Sequence, residues 1–181
     1  MIFMTIFWIL FVIILLFELR ILFRNKRSSY DKGSLQLFTI IGYGLIIFIF
    51  LLHYLDIGSF NIVFLSYFGL LILLSGFVLR QWSIHVLGSF FIPVVNIQKK
   101  QIVINKGPYR HLRHPSYTGL FFELFGLSFV LLNWAGLIAI FALFLPVILY
   151  RIKLEEEFLS KNLKGYKEYM KKTWKIIPFV Y

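Results

Sequence analysis

The chain alternates long apolar runs with short polar segments. Runs at about Ile2–Phe23, Leu35–Leu55 and Phe60–Leu79 are each long enough to cross roughly 30 Å of hydrocarbon at about 1.5 Å per residue. Two shorter runs, Tyr117–Leu132 and Ala135–Tyr150, are separated only by Asn133-Trp134, a spacing that predicts a helical hairpin. The pattern predicts an all-α integral membrane protein of about five transmembrane helices, three single spans followed by a C-terminal hairpin. Between them, Arg80–Gly88 prolongs the third span with polar residues towards the interface, and Pro93 and Asn96–Gln101 mark a loop. The β-branched run Gln101-Ile102-Val103-Ile104 is predicted to be extended. After the hairpin, Leu154–Lys172 has the pattern of a charged amphipathic helix outside the bilayer, ending before Pro178. Residues 1–100 and 101–181 form two sections of one structural domain in this reading.

Composition fixes the solvent. Of 181 residues, 60% are hydrophobic, more than a soluble domain of this size can hide, so lipid must cover the rest. The first run is too long for a signal peptide and lacks a basic leader, so it is expected to remain as a helix. The absence of cysteine excludes disulfides, zinc–thiolate sites and a cysteine nucleophile.

A net charge of +11 suggests nucleic acid until the cations are placed. All 19 Lys and Arg residues lie at Arg20, in the segment with Arg24, Lys26, Arg27 and Lys32, between Arg80 and Arg113, or from Arg151 onwards. The turns at Asp56–Ser59 and Asn133-Trp134 carry none. Five spans put every basic segment on one face, and the positive-inside rule makes that face cytoplasmic, with the N-terminus outside and the C-terminus inside. Topology and anionic lipid headgroups then account for the charge, and no nucleic-acid partner is expected. The pattern says nothing of oligomeric state.

Two charged motifs exceed what topology needs. In Gly107–Gly119, Gly107-Pro108 forces a turn, Arg110 and Arg113 share a helical spacing, His114-Pro115 breaks that run, and Ser116 is placed to cap the fourth span. In Arg151–Glu157, Arg151 and Glu155 are four apart, as are Lys153 and Glu157, and surface ion pairs are the plain reading. However, Glu155, Glu156 and Glu157 point three ways round a helix, so at least one must face the protein or a ligand. A carboxylate there suits a ligand amine or ribose hydroxyls, and an arginine a ligand carboxylate. Glu123, two turns into the fourth span, must face a cavity or be paired, and is expected to line a substrate pocket. Glu18 and Arg20 are expected to reach the interface and His53 to snorkel to the outer one. His85 is a minor site candidate, and Asn133-Trp134 reads as an interfacial turn only. No metal site is expected.

The order Gly-Pro-Tyr-Arg-x-x-Arg-His-Pro-Ser-Tyr-x-Gly, a membrane hairpin, then Arg-x-x-x-Glu-Glu resembles the isoprenylcysteine carboxyl methyltransferase family. Tyr166-x-x-Tyr169 followed by Ile177-Pro178 is similar to that family's tail. The likeness covers about Arg80 to Tyr181. It departs at Gln101, where the family usually has histidine, and at Asn162–Gly165, where a Phe-Gly pair commonly stands. The resemblance implies S-adenosylmethionine as cofactor, bound between the loop and the tail helix. Gln101, Ile102, Val103, Ile104, Tyr109, His114, Pro115, Ser116 and Tyr117 would line its pocket, with Glu155 and Glu156 holding its polar groups. Arg151 would orient the acceptor and Arg113 would order the site. The implied reaction is carboxyl O-methylation of an isoprenylcysteine-like or other lipidic acceptor taken from the bilayer. Phospholipid or amine N-methylation, an NADPH-dependent reduction of the steroid-reductase type and a non-catalytic role are the alternatives.

Overall fold

The computed structural model describes residues 2–22, 29–31, 33–59 and 62–177. Arg24, Lys26, Arg27, Lys32, Phe23, Phe60 and Pro178, which the sequence reading uses, lie outside the described residues. The described chain is helical, without a named strand: α1 (Ile2–Leu22), α2 (Ser34–Tyr54), α3 (Phe64–Leu87), α4 (Pro115–Val130), α5 (Trp134–Ala139), α6 (Leu145–Asn162) and α7 (Tyr166–Met170). A π-helical turn, Ile140–Phe144, joins α5 to α6, so Trp134–Asn162 is one rod. Pro146 has no N–H to close the α-helical ladder, and the wider turn just before it absorbs that loss.

Contacts at both ends fix the direction of each rod. At one end, Phe3 of α1 meets Tyr67 of α3, Ser59 bridges to Asn133, and Nδ1 of His53 lies 2.9 Å from the Leu131 carbonyl. At the other, Glu18 of α1, Arg80 of α3 and Ser116 of α4 meet, and Asp31 before α2 reaches Arg151 of α6. Five helical rods therefore run between two ends, and the loops holding Asp31, Arg113 and Lys175 gather at the second end. Four rods are long and apolar enough to cross a membrane, and α4 has 16 residues, about 24 Å of helix. Large apolar side chains such as Ile2, Ile40, Leu71, Val78 and Leu143 point outwards and stay exposed, as expected where lipid is the solvent. This is an integral membrane protein.

The tightest pair is α3 with α4. A Cβ added to Gly76 would lie 2.6 Å from the Gly119 carbonyl oxygen, and one added to Gly126 would lie 2.4 Å from the Leu73 nitrogen. Glycines seven residues apart on each helix let the backbones touch, the usual way helices associate in lipid. That approach carries Arg80 against Ser116.

The expected separate tail helix over Leu154–Lys172 is not what forms. The last span continues unbroken to Asn162, because Leu145–Asn162 keeps an apolar stripe against its neighbours while its charged residues emerge. Gly165, at φ +82°, then turns the chain into the short α7. Asn133 is more than an interfacial turn. It caps α5 through the Gly136 N–H (2.8 Å) and donates to the Ile57 carbonyl (2.8 Å), tying the hairpin to the α2–α3 turn.

Candidate functional site

A cavity of about 200 Å³ opens among α1–α4, α6 and the loop before α4. Its two ends differ. The end beneath the loop is polar, walled by Gln101, Ile102, Val103, Ile104, Tyr109, Arg113, His114, Tyr117 and Glu155, with Tyr166 and Tyr169 from the tail. The other end is an apolar arm between the helices, with Phe11, Ile14, Leu73, Leu124 and Leu127 in its wall. Polar groups interrupt that arm at Glu18, Tyr43, Arg80 and Glu123.

Arg151 organises the polar end. Its side chain is fully buried, at 1% exposure. Nε donates to the Tyr117 hydroxyl (2.9 Å), Nη1 to Ser34 Oγ (2.8 Å) and Asp31 Oδ1 (3.3 Å), and Nη2 to the Pro93 carbonyl. Its plane also lies over the Phe38 ring, at 5.5 Å. The i,i+4 pair with Glu155 does not form, because the guanidinium turns inwards to Asp31. One N–H, on Nη2, is left over. Tyr117 passes the arrangement on: its hydroxyl accepts from Arg151 and donates to Glu155 Oε2 (2.9 Å). The His114 ring stacks on Tyr117, with centroids 5.7 Å apart.

Arg113 fastens the tail to this wall. Nε donates to Glu156 Oε1 (2.6 Å), and Nη1 to the Met170 (2.9 Å) and Thr173 carbonyls. His114 Nε2 shares the same Glu156 oxygen at 3.3 Å. Glu156 and Pro115 do not reach the cavity. Tyr169 donates to the Tyr109 carbonyl (2.7 Å). Burial, reinforced at Tyr109 and Tyr166 by Glu155, pushes the Tyr109, Tyr166 and Tyr169 hydroxyls above the usual phenol range, so all three remain donors at neutral pH.

In the arm, Arg80 makes a two-pronged pair with Glu18, Nε to Oε1 at 2.5 Å and Nη2 to Oε2 at 2.6 Å. Its Nη1 reaches Ser116 Oγ at 2.9 Å. Glu18 therefore does not extend to the interface, since a buried cation across the bundle holds it instead. Ser116 is not the cap of α4 either: Pro115 is its first residue, His114 stands at the cap position, and the Ser116 hydroxyl serves Arg80. Glu123 is buried in the arm wall and its Oε1 has no hydrogen-bond partner. His85 is exposed and away from the cavity.

A family model described as phospholipid methyltransferase matches residues 64–165, more than half of the chain. The chain belongs to that family. Among curated relatives it is similar to a probable protein-S-isoprenylcysteine O-methyltransferase of rice (Oryza sativa subsp. indica), 31% identical over 65% of this chain and 63% of the relative. The Saccharomyces cerevisiae protein-S-isoprenylcysteine O-methyltransferase is 30% identical over 62% of this chain and 48% of its own length. A solved structure of the eukaryotic intramembrane Ras methyltransferase ICMT superposes with a TM-score of 0.61, at 30% identity, over 78% of this chain and 52% of that one. The chain thus spans about half to two thirds of the length of these relatives. They bear out the family resemblance and the all-α membrane fold.

The family's matched region holds Arg80, His114, Tyr117, Glu123, Arg151 and Glu155, but not their partners Glu18, Asp31 and Ser34 on the first two helices. Sequence reading missed Arg80, Asp31 and Tyr43 as wall or anchor residues. A usable signal for Arg80 was the glycine spacing Gly76/Gly119, which brings its turn of α3 against α4. Asp31 gave none, because its partner lies on a distant helix.

The polar end fits S-adenosylmethionine. The peptide groups of Ile102, Val103 and Ile104 have no hydrogen-bond partner among the described residues, which leaves them free for a planar base edge. Glu155, 30% exposed, faces the cavity with one oxygen uncommitted, as ribose hydroxyls or an ammonium group require.

Proposed function

We propose that this chain is an integral-membrane, S-adenosylmethionine-dependent methyltransferase that methylates the carboxylate of an isoprenylcysteine-like lipidic acceptor. The observation that carries the reading is the single cavity whose polar end, beneath the loop, runs into an apolar arm between the helices. A water-soluble donor and an oily acceptor can meet there without either leaving its own solvent. The names of the relatives supply the acceptor class, and the positive-inside distribution of the loops makes the polar end cytoplasmic.

S-adenosylmethionine supplies an electrophilic methyl group on a sulfonium. Everything else falls to the protein. Ile102–Ile104 and Glu155 bind the donor, while Tyr117 and His114 form the wall beside it. Arg113, clamped to Glu156, holds the tail shut over the site. Arg151 locks the Tyr117 hydroxyl and turns its last N–H towards an acceptor carboxylate. That carboxylate is ionised at neutral pH and needs no general base. Burial removes water from it, which raises its nucleophilicity towards an in-line methyl. Against the reductase alternative, the arginines on the cavity wall, Arg80, Arg113 and Arg151, are already paired with carboxylates, so no wall arginine among the described residues is unpaired for a 2′-phosphate.

The test is calorimetry of the detergent-purified chain with S-adenosylmethionine, then incubation with labelled donor and a prenylcysteine acceptor. Saturable donor binding and labelled methyl ester are expected. No donor binding at millimolar concentration would dismiss the reading.

A further inference from the structure

The charges on the cavity wall do not balance in the same way at its two ends. Arg80 is held by Glu18, Arg113 by Glu156 and Arg151 by Asp31. Two wall carboxylates have no arginine among the described residues: Glu155 and Glu123. Glu155 belongs to the polar end and takes the Tyr117 hydroxyl. Glu123 stands six residues further along α4, about 9 Å deeper in the bundle. It is only 6% exposed, and its buried Oε1 has no hydrogen-bond partner among the described residues. The hydrogen bonds of the neighbouring cation go elsewhere: Arg80 donates to both Glu18 oxygens and to the Ser116 hydroxyl and carbonyl, and none reaches Glu123.

A carboxyl group in an apolar arm, with no partner of its own, is a place built for a hydrogen-bond donor. We infer that Glu123 is a specificity-determining contact of the arm, receiving an N–H group, an ammonium above all, carried by the lipid that occupies it. A hydroxyl satisfies Glu123 less well. A carboxylate or phosphate at this depth offers Glu123 no donor. The inference rests on the methyltransferase reading only in taking that lipid to be the acceptor. An acceptor methylated on its carboxylate would then also carry an N–H and seat it here.

The test uses the full chain purified in detergent and three single-chain amphiphiles of equal length, ending in a primary amine, a hydroxyl or a methyl ether. Affinities are measured by calorimetry for the unmodified protein, Glu123→Gln and Glu123→Leu. Comparison between proteins cancels the partition of each amphiphile into detergent. The amine should bind the unmodified protein at least tenfold more tightly than the methyl ether, with the hydroxyl between them. Both substitutions should shrink that gap to less than threefold, while unchanged melting temperatures report an intact fold. Equal affinities in the unmodified protein, or an amine preference that survives Glu123→Gln, would overturn the inference. Failure of the methyltransferase reading shows separately, as absent S-adenosylmethionine binding with the amine preference intact.

Discussion

Arg151 and Arg80 are both buried arginines near the loop end of the bundle, and they are used differently. Arg151 spreads its donors over Ser34, Asp31, Pro93 and Tyr117, so one side chain ties α2, the loop, α4 and α6 together. Arg80 spends two donors on one carboxylate, Glu18, and ties α1 to α3 and α4. The first is a hub whose loss disturbs everything that touches Glu155. The second is a neutralising pair that keeps one carboxylate quiet in lipid and leaves Glu123 without a salt bridge in the arm. Similar burial thus supports different duties, set by how many elements the guanidinium touches.

The comparison is most sharply tested at Arg151. Arg151→Ala should lower methyl transfer at least a hundredfold. It should also destabilise the fold by about 3–5 kcal/mol, since Asp31 is left buried and unpaired. Labelled-methyl assays and thermal melting in detergent read the two effects, and Arg151→Lys should recover stability better than activity. Arg80→Met should destabilise by a similar amount, about 3–5 kcal/mol, through the stranded Glu18. Here the double variant Glu18→Leu/Arg80→Met should regain most of the loss, and donor affinity should change less than threefold. If donor affinity collapses instead, Arg80 belongs to the polar hub.

Smaller effects separate the ends further. Tyr117→Phe removes a hydroxyl that both accepts from Arg151 and donates to Glu155, and should weaken donor binding by about 1–2 kcal/mol, roughly tenfold, measured by calorimetry. Lys171→Ala, which breaks only the exposed pair with Glu168, should leave melting temperature and donor affinity unchanged within error.

How much of this was legible in the chain depends on the range of each interaction. The apolar runs and the hairpin at Asn133 follow from local pattern, whereas the grouping of Gln101–Ile104, Tyr109, His114 and Tyr117 round one pocket came from the family resemblance. Glu123 stood out because a carboxylate inside a span has few permitted environments. The tail was misread because charge density at Lys153–Glu157 looks like a change of solvent. The helix ignores that boundary, since its backbone hydrogen bonds are internal and its buried face continues through Ile152 and Glu156. Glu156 was expected at the donor together with Glu155, but residues one apart lie about 100° apart round a helix, and it faces Arg113.

The chain alone determined that lipid is the solvent, which segments cross it and which residue types gather before and after the final hairpin, because these depend on hydropathy and on spacing along one helix or loop. Tertiary structure decided which carboxylate each arginine holds, and so which carboxylates remain free. Those pairings, Glu18 with Arg80 and Asp31 with Arg151, join residues far apart in sequence through helix contacts that no local pattern encodes.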